Sequence, residues 1–548
     1  MALISHNLSP LSPQSSSWFY QWHNQPPIDD QLFAPPQHFI NEQQHQHGPI
    51  SGSRGDNNLF HKNVAPSSPI HHNFESNGFL KLDSSSPFDD IPFYRNKSRK
   101  ENNKSTNFVN YLPWVLSAFS LVQPPPQSPS INSRNRLYQS RIEKSGPLNI
   151  FYQWSQLDYA FESDLERNIA VSSDRYIPEN NLPLGIEAWR DRVFITIPRW
   201  KKGVPATLTW LPRVPTERSP KLNPYPNWDW HSRESCDILT SVFRIFADSC
   251  GRLWVLDSGQ VEVTINPRQI CPPSIIVFDL KTDKLILRYE IPEQYVKQDS
   301  LYTNIVVDIR ENECDDAYAY VTDVWRYGIL VYSLKKHESW RLTDGYFYPD
   351  PLYTKYQLKD LKFQWNDGIF GMALSPYQNG RGQTDRLLFY HPMSSSQEFY
   401  VPVSALRNET YFNDKDDLVQ VLGESRGLLG QSSASGMTRD GVMFYNMVLR
   451  NSVGCWDSGK SYTRNNLGVV VQDNVTMVFP NDLKVDQEKR QSVWVLSNKL
   501  PFYLYRELDQ NDINFRVFQG YTDEIVKGTI CDPIIPDTHQ HYPSLIHY

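Results

Sequence analysis

The sequence predicts an all-β fold: a six-bladed β-propeller preceded by a disordered N-terminal extension. Three observations support this prediction. Short runs rich in Val, Ile, Tyr, Phe and Trp recur from about residue 151 onward, as expected of strands. Six of these runs each follow a second strand candidate. Residues 1–145 differ in composition and are dominated by Ser, Pro, Asn, Gln and His.

The six runs have the spacing of propeller blades. Their first residues are separated by 60, 67, 67, 55 and 51 positions. A four-stranded blade needs about 40–50 residues, or more where its loops are long. The runs are 193–198, 253–258, 320–325, 387–392, 442–447 and 493–497.

Each run is predicted to be the second strand of a hairpin. Short turns such as Arg439-Asp440-Gly441 join some pairs, and Asp-Gly is a strong turn signal. The first strands are predicted at 185–189, 241–247, 303–309, 368–374, 435–437 and 481–485. Six hairpins favour a closed ring over residues 151–533, because closure removes open sheet edges. Two stacked β-sandwiches are the structural alternative, and residues 534–548 are predicted to be a C-terminal tail.

Residues 1–145 are predicted to be a disordered, low-complexity extension, because they offer too little apolar area to offset chain entropy. Within them, the apolar run 108–122 follows a basic stretch that includes Lys100 and Lys104. This order resembles a signal sequence. Asn110 and Pro113 interrupt the run, which is too short for a stable membrane span. A signal peptide with extra residues before it, a signal-anchor and an apolar patch in a disordered segment all remain open.

The charge balance argues against one class of partner. The formal net charge is −7 and the pI is about 6.1. Proteins that bind nucleic acid need a basic surplus to neutralise phosphates, so no nucleic-acid partner is expected.

The cysteines predict three disulfides and an oxidising compartment. Their number is even, they are widely dispersed, and no metal-binding spacing occurs among them. Six free thiols in a cytosolic protein are the alternative, and 15 pairings are possible for six cysteines. We favour a Cys455–Cys531 pair, because a late disulfide would tether the last blade. The six residues are Cys236, Cys250, Cys271, Cys314, Cys455 and Cys531.

Several segments resemble the insect yellow/major royal jelly protein family. They occur in the family's order, and the resemblance as a whole covers about 151–533. The segments are YIPENNLPLGIEAWRDRVFITIPRWKKGVPATLTWL (176–211), GRLWVLDSG (251–259), YVTDVWRYGILVYSL (320–334), FQWNDGIFGMALSP (363–376), GCWD (454–457) and FPNDLKVD (479–486). The resemblance implies a six-bladed propeller and secretion. It also implies roles in cuticle pigmentation, binding of biogenic amines, or conversion of dopachrome in the melanin pathway.

A ligand site is predicted in the propeller channel, because the first strand of each blade lines the channel. Polar and aromatic side chains together suit a small aromatic or amine-bearing ligand. The predicted ligand-binding residues are Asn498, Asp367, Asn366, Asn481, Asp482 and Phe370. For Asn498, the resemblance implies a ligand contact, since amine-binding relatives place an Asn in a similar Ser-Asn context.

Further residues are candidates for the channel. The polar ones are Glu187, Asn304, Asp308 and Ser435, and the aromatic ones are Trp189, Trp325, Trp365 and Trp456. Each type also has an ordinary structural role: Asp before Gly forms turns, and Trp in a blade packs in the core.

The sequence predicts binding ahead of catalysis. It shows no nucleophile elbow, zinc-protease motif or phosphate-binding loop, so the catalytic residues stay unassigned. No cofactor and no metal are predicted, because the sequence gives no oxygen-ligand set like the calcium site of lactonase-type propellers. Candidate acid–base groups are His231, His337 and His391. A dopachrome-converting enzyme and a structural extracellular protein are the alternative functions.

Two sequons fall in the propeller region, at Asn408 and Asn474. In a secreted chain they predict N-glycosylation. The oligomeric state is left open.

Overall fold

The computed structural model describes residues 144–145, 147–231, 235–310, 313–377 and 385–533. The predicted extension up to residue 143, with its apolar run 108–122, and the tail 534–548 lie outside the described residues. Within the described ranges, no helix has the length and apolar character needed to cross a membrane.

Strands make up most of the fold. In chain order they are β1 (Lys144–Ser145), β2 (Leu148–Trp154), β3 (Gly185–Trp189), β4 (Arg192–Thr196), β5 (Leu208–Pro212), β6 (Asn223–Pro224), β7 (Val242–Ala247), β8 (Arg252–Asp257), β9 (Gln260–Val261), β10 (Arg268–Gln269), β11 (Ser274–Asp279), β12 (Leu285–Glu290), β13 (Tyr302–Asp308), β14 (Tyr318–Asp323), β15 (Gly328–Ser333), β16 (Glu338–Leu342), β17 (Lys355–Leu358), β18 (Leu361–Gln364), β19 (Ile369–Leu374), β20 (Leu387–Pro392), β21 (Phe399–Pro402), β22 (Gln420–Val421), β23 (Ser435–Met437), β24 (Val442–Met447), β25 (Ser452–Asp457), β26 (Leu467–Gln472), β27 (Pro480–Val485), β28 (Ser492–Ser497) and β29 (Phe515–Tyr521). The α-helices are α1 (Asp164–Ser172), α2 (Val403–Leu406), α3 (Glu409–Asp414), α4 (Leu500–Tyr505) and α5 (Thr522–Ile525).

Six antiparallel sheets form the blades of a β-propeller, which confirms the predicted fold. From the axis outward, the blades are β3-β4-β5-β6, β7-β8-β11-β12, β13-β14-β15-β16, β19-β20-β21-β22, β23-β24-β25-β26 and β27-β28-β29-β2-β1. The inner strands contact one another in this order, and β27 contacts β3 again. These contacts close the ring around a central channel.

The N-terminal strands complete the last blade. Strand β2 pairs with β29, so that Asn149 lies opposite Gln519 and Trp154 lies opposite Phe515. Leu148 is fully buried in the same apolar cluster as Phe518. The predicted start of the propeller at residue 151 therefore falls inside β2, and β1 lies in the range that was assigned to the extension.

All six predicted hairpins are present. Strands β3, β20, β23 and β24 have the predicted bounds, and the other eight differ from them by two residues or fewer. The hydrophobic core lies between adjacent blades. For example, Trp254 and Leu256 of β8 share a buried cluster with Ile305 and Val321 of the next blade.

Three disulfides join the six cysteines, and no described cysteine is free. Cys455 of β25 pairs with Cys531, 76 residues later, which confirms the predicted pair. This bond ties the segment after the last blade to the fifth blade. The other pairs are Cys236–Cys271 and Cys250–Cys314.

Candidate functional site

The channel opens into a cavity at the end where the inner strands begin, which we call the first mouth. The cavity volume is about 90 Å³. At about 10–15 Å³ for each water molecule, this is space for about six to nine waters. The lining residues are Leu184, Trp200, Phe243, Val263, Thr264, Ile265, Pro267, Leu301, Val324, Trp325, Trp365, Asp367, Phe370, Met393, Asn481, Leu500, Leu504 and Tyr505.

Aromatic rings form much of the wall. Phe243 of β7 lies 5.4 Å from Trp200 and 6.1 Å from Phe370 of β19, measured between ring centroids. Rings at these separations and tilts present faces and edges on which a further ring packs favourably. The wall is therefore suited to a flat apolar ligand.

Two segments outside the blades cover this mouth. The connection between β9 and β10 contributes four lining residues between Val263 and Pro267, and helix α4 contributes Leu500, Leu504 and Tyr505. The indole Nε1 of Trp365 donates a 2.7 Å hydrogen bond to the Tyr505 hydroxyl. This bond fixes the end of α4 against the wall.

Asp367 supplies the carboxyl group of the cavity. It precedes β19, is buried, and accepts a 3.2 Å hydrogen bond from the indole Nε1 of Trp325. Its backbone N–H donates to the Ser394 hydroxyl, which holds the loop in place. Burial raises the pKa of Asp367 to about 7, so the carboxyl changes its charge near neutral pH.

Asn481 and Asp482 are neighbours on β27 but have different surroundings. Asn481 lines the cavity, while its side-chain amide donates a 2.7 Å hydrogen bond to the carbonyl of Leu184. Asp482 lies deeper, outside the lining. It accepts a 2.9 Å bond from the backbone of Ile186 and lies 3.4 Å from the Arg244 guanidinium.

Asn498 and Asn366 do not line the cavity. The Asn498 side chain donates a 2.8 Å bond to the Pro183 carbonyl and accepts a 3.1 Å bond from the Leu500 backbone. It thereby fixes the start of α4. Asn366 is half-buried, and its carbonyl accepts a hydrogen bond from the Tyr327 hydroxyl. Of the six predicted ligand-binding residues, the structure brings Asp367, Phe370 and Asn481 together.

Arg244 was missed by the sequence analysis. It is fully buried in the middle of β7, where it donates hydrogen bonds to the carbonyls of Ser433 (3.1 Å) and Asn481 (2.7 Å). Its guanidinium carbon also lies 5.0 Å from the ring centre of Phe370. A charged residue in the middle of an otherwise apolar inner strand was the available signal. Arg244 lies between the residues that line the two ends of the channel.

The remaining channel candidates are spread along its length. Glu187 and Ser435 line a second cavity at the opposite end. The Asn304 side chain donates a 2.6 Å bond to the Phe370 carbonyl, and Asp308 pairs with two arginines, including Arg386 at 2.9 Å.

Of the four candidate tryptophans, two line the first mouth and two pack in the core. Trp325 and Trp365 line the first mouth. Trp189 and Trp456 are buried in apolar clusters of the core.

None of the three candidate histidines lines the first mouth. His231 is buried, its Nε2 lies 3.0 Å from the Tyr225 carbonyl, and burial lowers its pKa to about 3. His391 is also buried, 2.8 Å from Glu398, and burial lowers its pKa. His337 lies beside the Tyr332 hydroxyl, 3.0 Å away.

In the described part of the chain, no group of three or more His, Cys, Asp and Glu side chains is arranged to hold a metal ion. Asn408 and Asn474 are both exposed, the first at the start of α3. Both sequons are therefore accessible on the surface.

Comparisons with known proteins give a consistent result. The family model described as "Major royal jelly protein" matches residues 240–531. A Drosophila melanogaster protein described as "Dopaminechrome tautomerase" is 45% identical over 405 residues, which covers 72% of this chain and 86% of that protein. "Protein yellow" of the same species is 41% identical over 386 residues, which is 70% of each chain.

Solved structures resemble the chain only distantly. Virginiamycin B lyase from Staphylococcus aureus is 10% identical and matches 62% of this chain and 95% of its own, with a TM-score of 0.33. A likeness at this score carries no argument about function.

Proposed function

Because the chain belongs to the major royal jelly protein family, we propose that its first-mouth cavity binds a small aromatic molecule that carries an amine. One observation carries this proposal: a buried carboxyl group, Asp367, in a cavity lined mainly by aromatic and aliphatic side chains. The ligand's ring would pack against Phe243 and Phe370. Its ammonium would pair with the ionised form of Asp367.

The energetics favour this pairing. A hydrogen bond to a charged group contributes about 1.5–3 kcal/mol, and attraction between a cation and a ring adds about 0.5–2 kcal/mol. A buried, unpaired carboxylate is costly, so ligand binding relieves that cost. A neutral aromatic ring without the amine would gain only the packing contribution.

The proposal is tested by calorimetry with dopamine and serotonin. We expect saturable binding to the full chain. Asp367→Asn should weaken dopamine binding by about 10- to 100-fold, because it removes the charge and keeps the shape. Asn366→Ala is the matched control, since the structure places this neighbour outside the lining. Equal loss in both variants, or no binding of either amine, would contradict the proposal.

A second candidate function is the conversion of an aminochrome-type substrate. Two observations favour it: the pKa of Asp367 lies at about 7, where a general acid–base group works best, and one relative is described as "Dopaminechrome tautomerase". Mixing the protein with freshly prepared dopaminechrome or dopachrome distinguishes the two functions. If the protein accelerates loss of the chromophore and Asp367→Asn abolishes that acceleration, the protein converts the substrate. Binding without loss indicates a carrier.

Secretion is part of the same proposal. The three disulfides and the two exposed sequons suit an oxidising, extracellular location. Expression in insect cells, followed by treatment of the medium with an N-glycosidase, tests it. We expect the chain in the medium with a mass that falls on treatment. Retention of the whole chain in the cytosol would argue against this part of the proposal.

A further inference from the structure

The opposite end of the channel, where the inner strands end, contains a second cavity. Its volume is about 130 Å³, and we call this end the second mouth. Residues that line it include Glu187, Phe246, Met372, Ser435, Met437 and Lys484. The mouth therefore combines an apolar wall with a few polar groups. Arg244 lies between it and the first mouth.

Lys484 is the unusual residue of this cavity. It is only 8% exposed, yet among the described residues nothing accepts a hydrogen bond from its Nζ and no carboxylate lies within 4 Å. The Nζ lies 5.5 Å from the ring centre of Phe246. An ammonium that is largely withdrawn from solvent and has no hydrogen-bonded anionic partner is poorly solvated, so this side chain favours an anion in the cavity.

Ser435 provides a second group without a partner. Its hydroxyl is buried and has no hydrogen-bond partner among the described residues. Ser435 is on β23 and Lys484 is on β27, and these inner strands are neighbours in the ring. A carboxylate that enters the cavity would meet a hydroxyl donor and an ammonium on adjacent strands.

Two other charged residues of this mouth already have partners. Asp248 accepts a 2.6 Å bond from the Arg252 guanidinium, and Arg386 pairs with Asp308 at 2.9 Å. Neither pair leaves a charge that would neutralise Lys484.

Asp482, two residues before Lys484 on β27, lies 3.4 Å from the Arg244 guanidinium and so has a cationic partner of its own. Glu187 is the other charged group near Lys484. Its carboxyl oxygens accept backbone hydrogen bonds from Ala188 (2.9 Å) and Ala247 (3.1 Å). Burial raises its pKa to about 7, while the charge of Lys484 acts in the opposite direction. Burial thus opposes the ionised form of Glu187, which lies beyond ion-pair distance of the Lys484 ammonium and balances it incompletely.

We propose that the second mouth binds a small organic carboxylate with an apolar body. Lys484 and Ser435 hold the carboxylate, and Phe246, Met372 and Met437 contact the body. This site differs in position and in charge preference from the amine site of the first mouth. The two proposals therefore fail or succeed separately.

Calorimetry on the full chain tests the site with benzoate as the probe and benzamide as its uncharged counterpart. We expect saturable binding of benzoate, and benzamide to bind at least about ten-fold more weakly. Lys484→Met keeps the length of the side chain but removes its charge, and should weaken benzoate binding by about ten-fold or more. Lys527→Met, at an exposed lysine, is the matched control and should have no effect.

Further variants and a titration in the presence of dopamine complete the test. Ser435→Ala should weaken benzoate binding several-fold, whereas Lys484→Arg should retain it. These two variants test the site even if Lys484→Met folds poorly. Glu187→Gln should strengthen binding, because it removes a nearby negative charge. Saturating dopamine should leave the benzoate titration unchanged. Equal affinity for benzoate and benzamide, or the same affinity in the Lys484→Met and Lys527→Met variants, would overturn the proposal.

Discussion

The buried carboxyl group of Asp367 lowers the stability of the fold at neutral pH, and it is also the group that we propose binds the ligand. An unfolded aspartate ionises near pH 4, whereas burial raises the pKa of Asp367 to about 7. Between these values the folded chain holds a proton that the unfolded chain has released. The free energy of unfolding therefore falls as the pH rises through this window, by up to about 4 kcal/mol from this group.

The effect of Asp367 on the free energy of unfolding should therefore depend on pH. Asp367→Asn removes the titration, so the stability of the variant relative to the wild type should increase between about pH 4 and pH 7. Chemical denaturation at several pH values measures it. Glu187 titrates in both proteins and cancels in the difference. Asp416→Asn, at an exposed carboxylate with no ion pair among the described residues, is the control and should show no such increase. A pH-independent difference would show that Asp367 does not titrate in this window.

Dopamine binding should become stronger as the pH rises, whereas the free energy of unfolding falls. An ammonium binds the ionised carboxylate, so dopamine affinity should rise with pH up to about 7 and then level off. In Asp367→Asn the rise should vanish. Calorimetry at matched ionic strength measures both. A rise that persists in the variant would assign the effect to another group.

At the level of elements, helix α4 covers the first mouth and depends on Asn498. Lys499, which follows Asn498, has a left-handed backbone (φ +49°), so the chain turns sharply there. The two Asn498 hydrogen bonds, to Pro183 and from Leu500, hold this turn in place.

Replacing Asn498 should therefore affect both stability and binding. Asn498→Ala leaves a buried carbonyl and a buried N–H unpaired, which should lower the free energy of unfolding by about 1–3 kcal/mol. Dopamine affinity should fall as well, because α4 carries Leu500, Leu504 and Tyr505. Asn511→Ala, on an exposed loop, is the control. Weaker binding at unchanged stability would instead indicate direct contact between Asn498 and the ligand.

These elements also show what the sequence predicts well. The hairpins were predictable because strand propensity and turn residues such as Asp440-Gly441 are local signals. The direction of a side chain is not local. Asn498 is predicted from the sequence to contact the ligand, whereas its side chain bonds to the Pro183 carbonyl, 315 residues away along the chain. For the same reason, sequence alone did not show that Arg244 bonds to Ser433 and Asn481.

For the whole molecule, ring closure depends on β2. This strand joins the N-terminal part of the propeller to the last blade through its pairing with β29. Because each blade packs on two neighbours, loss of β2 exposes the edge of β29 and weakens the sixth blade.

Two truncations test this closure. A chain that begins at residue 144 keeps β2 and should have the thermal stability of the full chain. A chain that begins at residue 156 lacks β2 and should be strongly destabilised or fail to fold. Thermal unfolding followed by circular dichroism measures both. Equal stability of the two fragments would show that β2 contributes little to closure.

A crystal structure of the protein with dopamine is the decisive test of the amine site proposed at the first mouth. We expect the ring of the ligand to pack against Phe243 and Phe370, and its ammonium to lie within hydrogen-bond distance of the Asp367 carboxylate. An empty first mouth in crystals grown at a dopamine concentration that saturates the protein in solution would contradict it, as would a ligand ordered elsewhere.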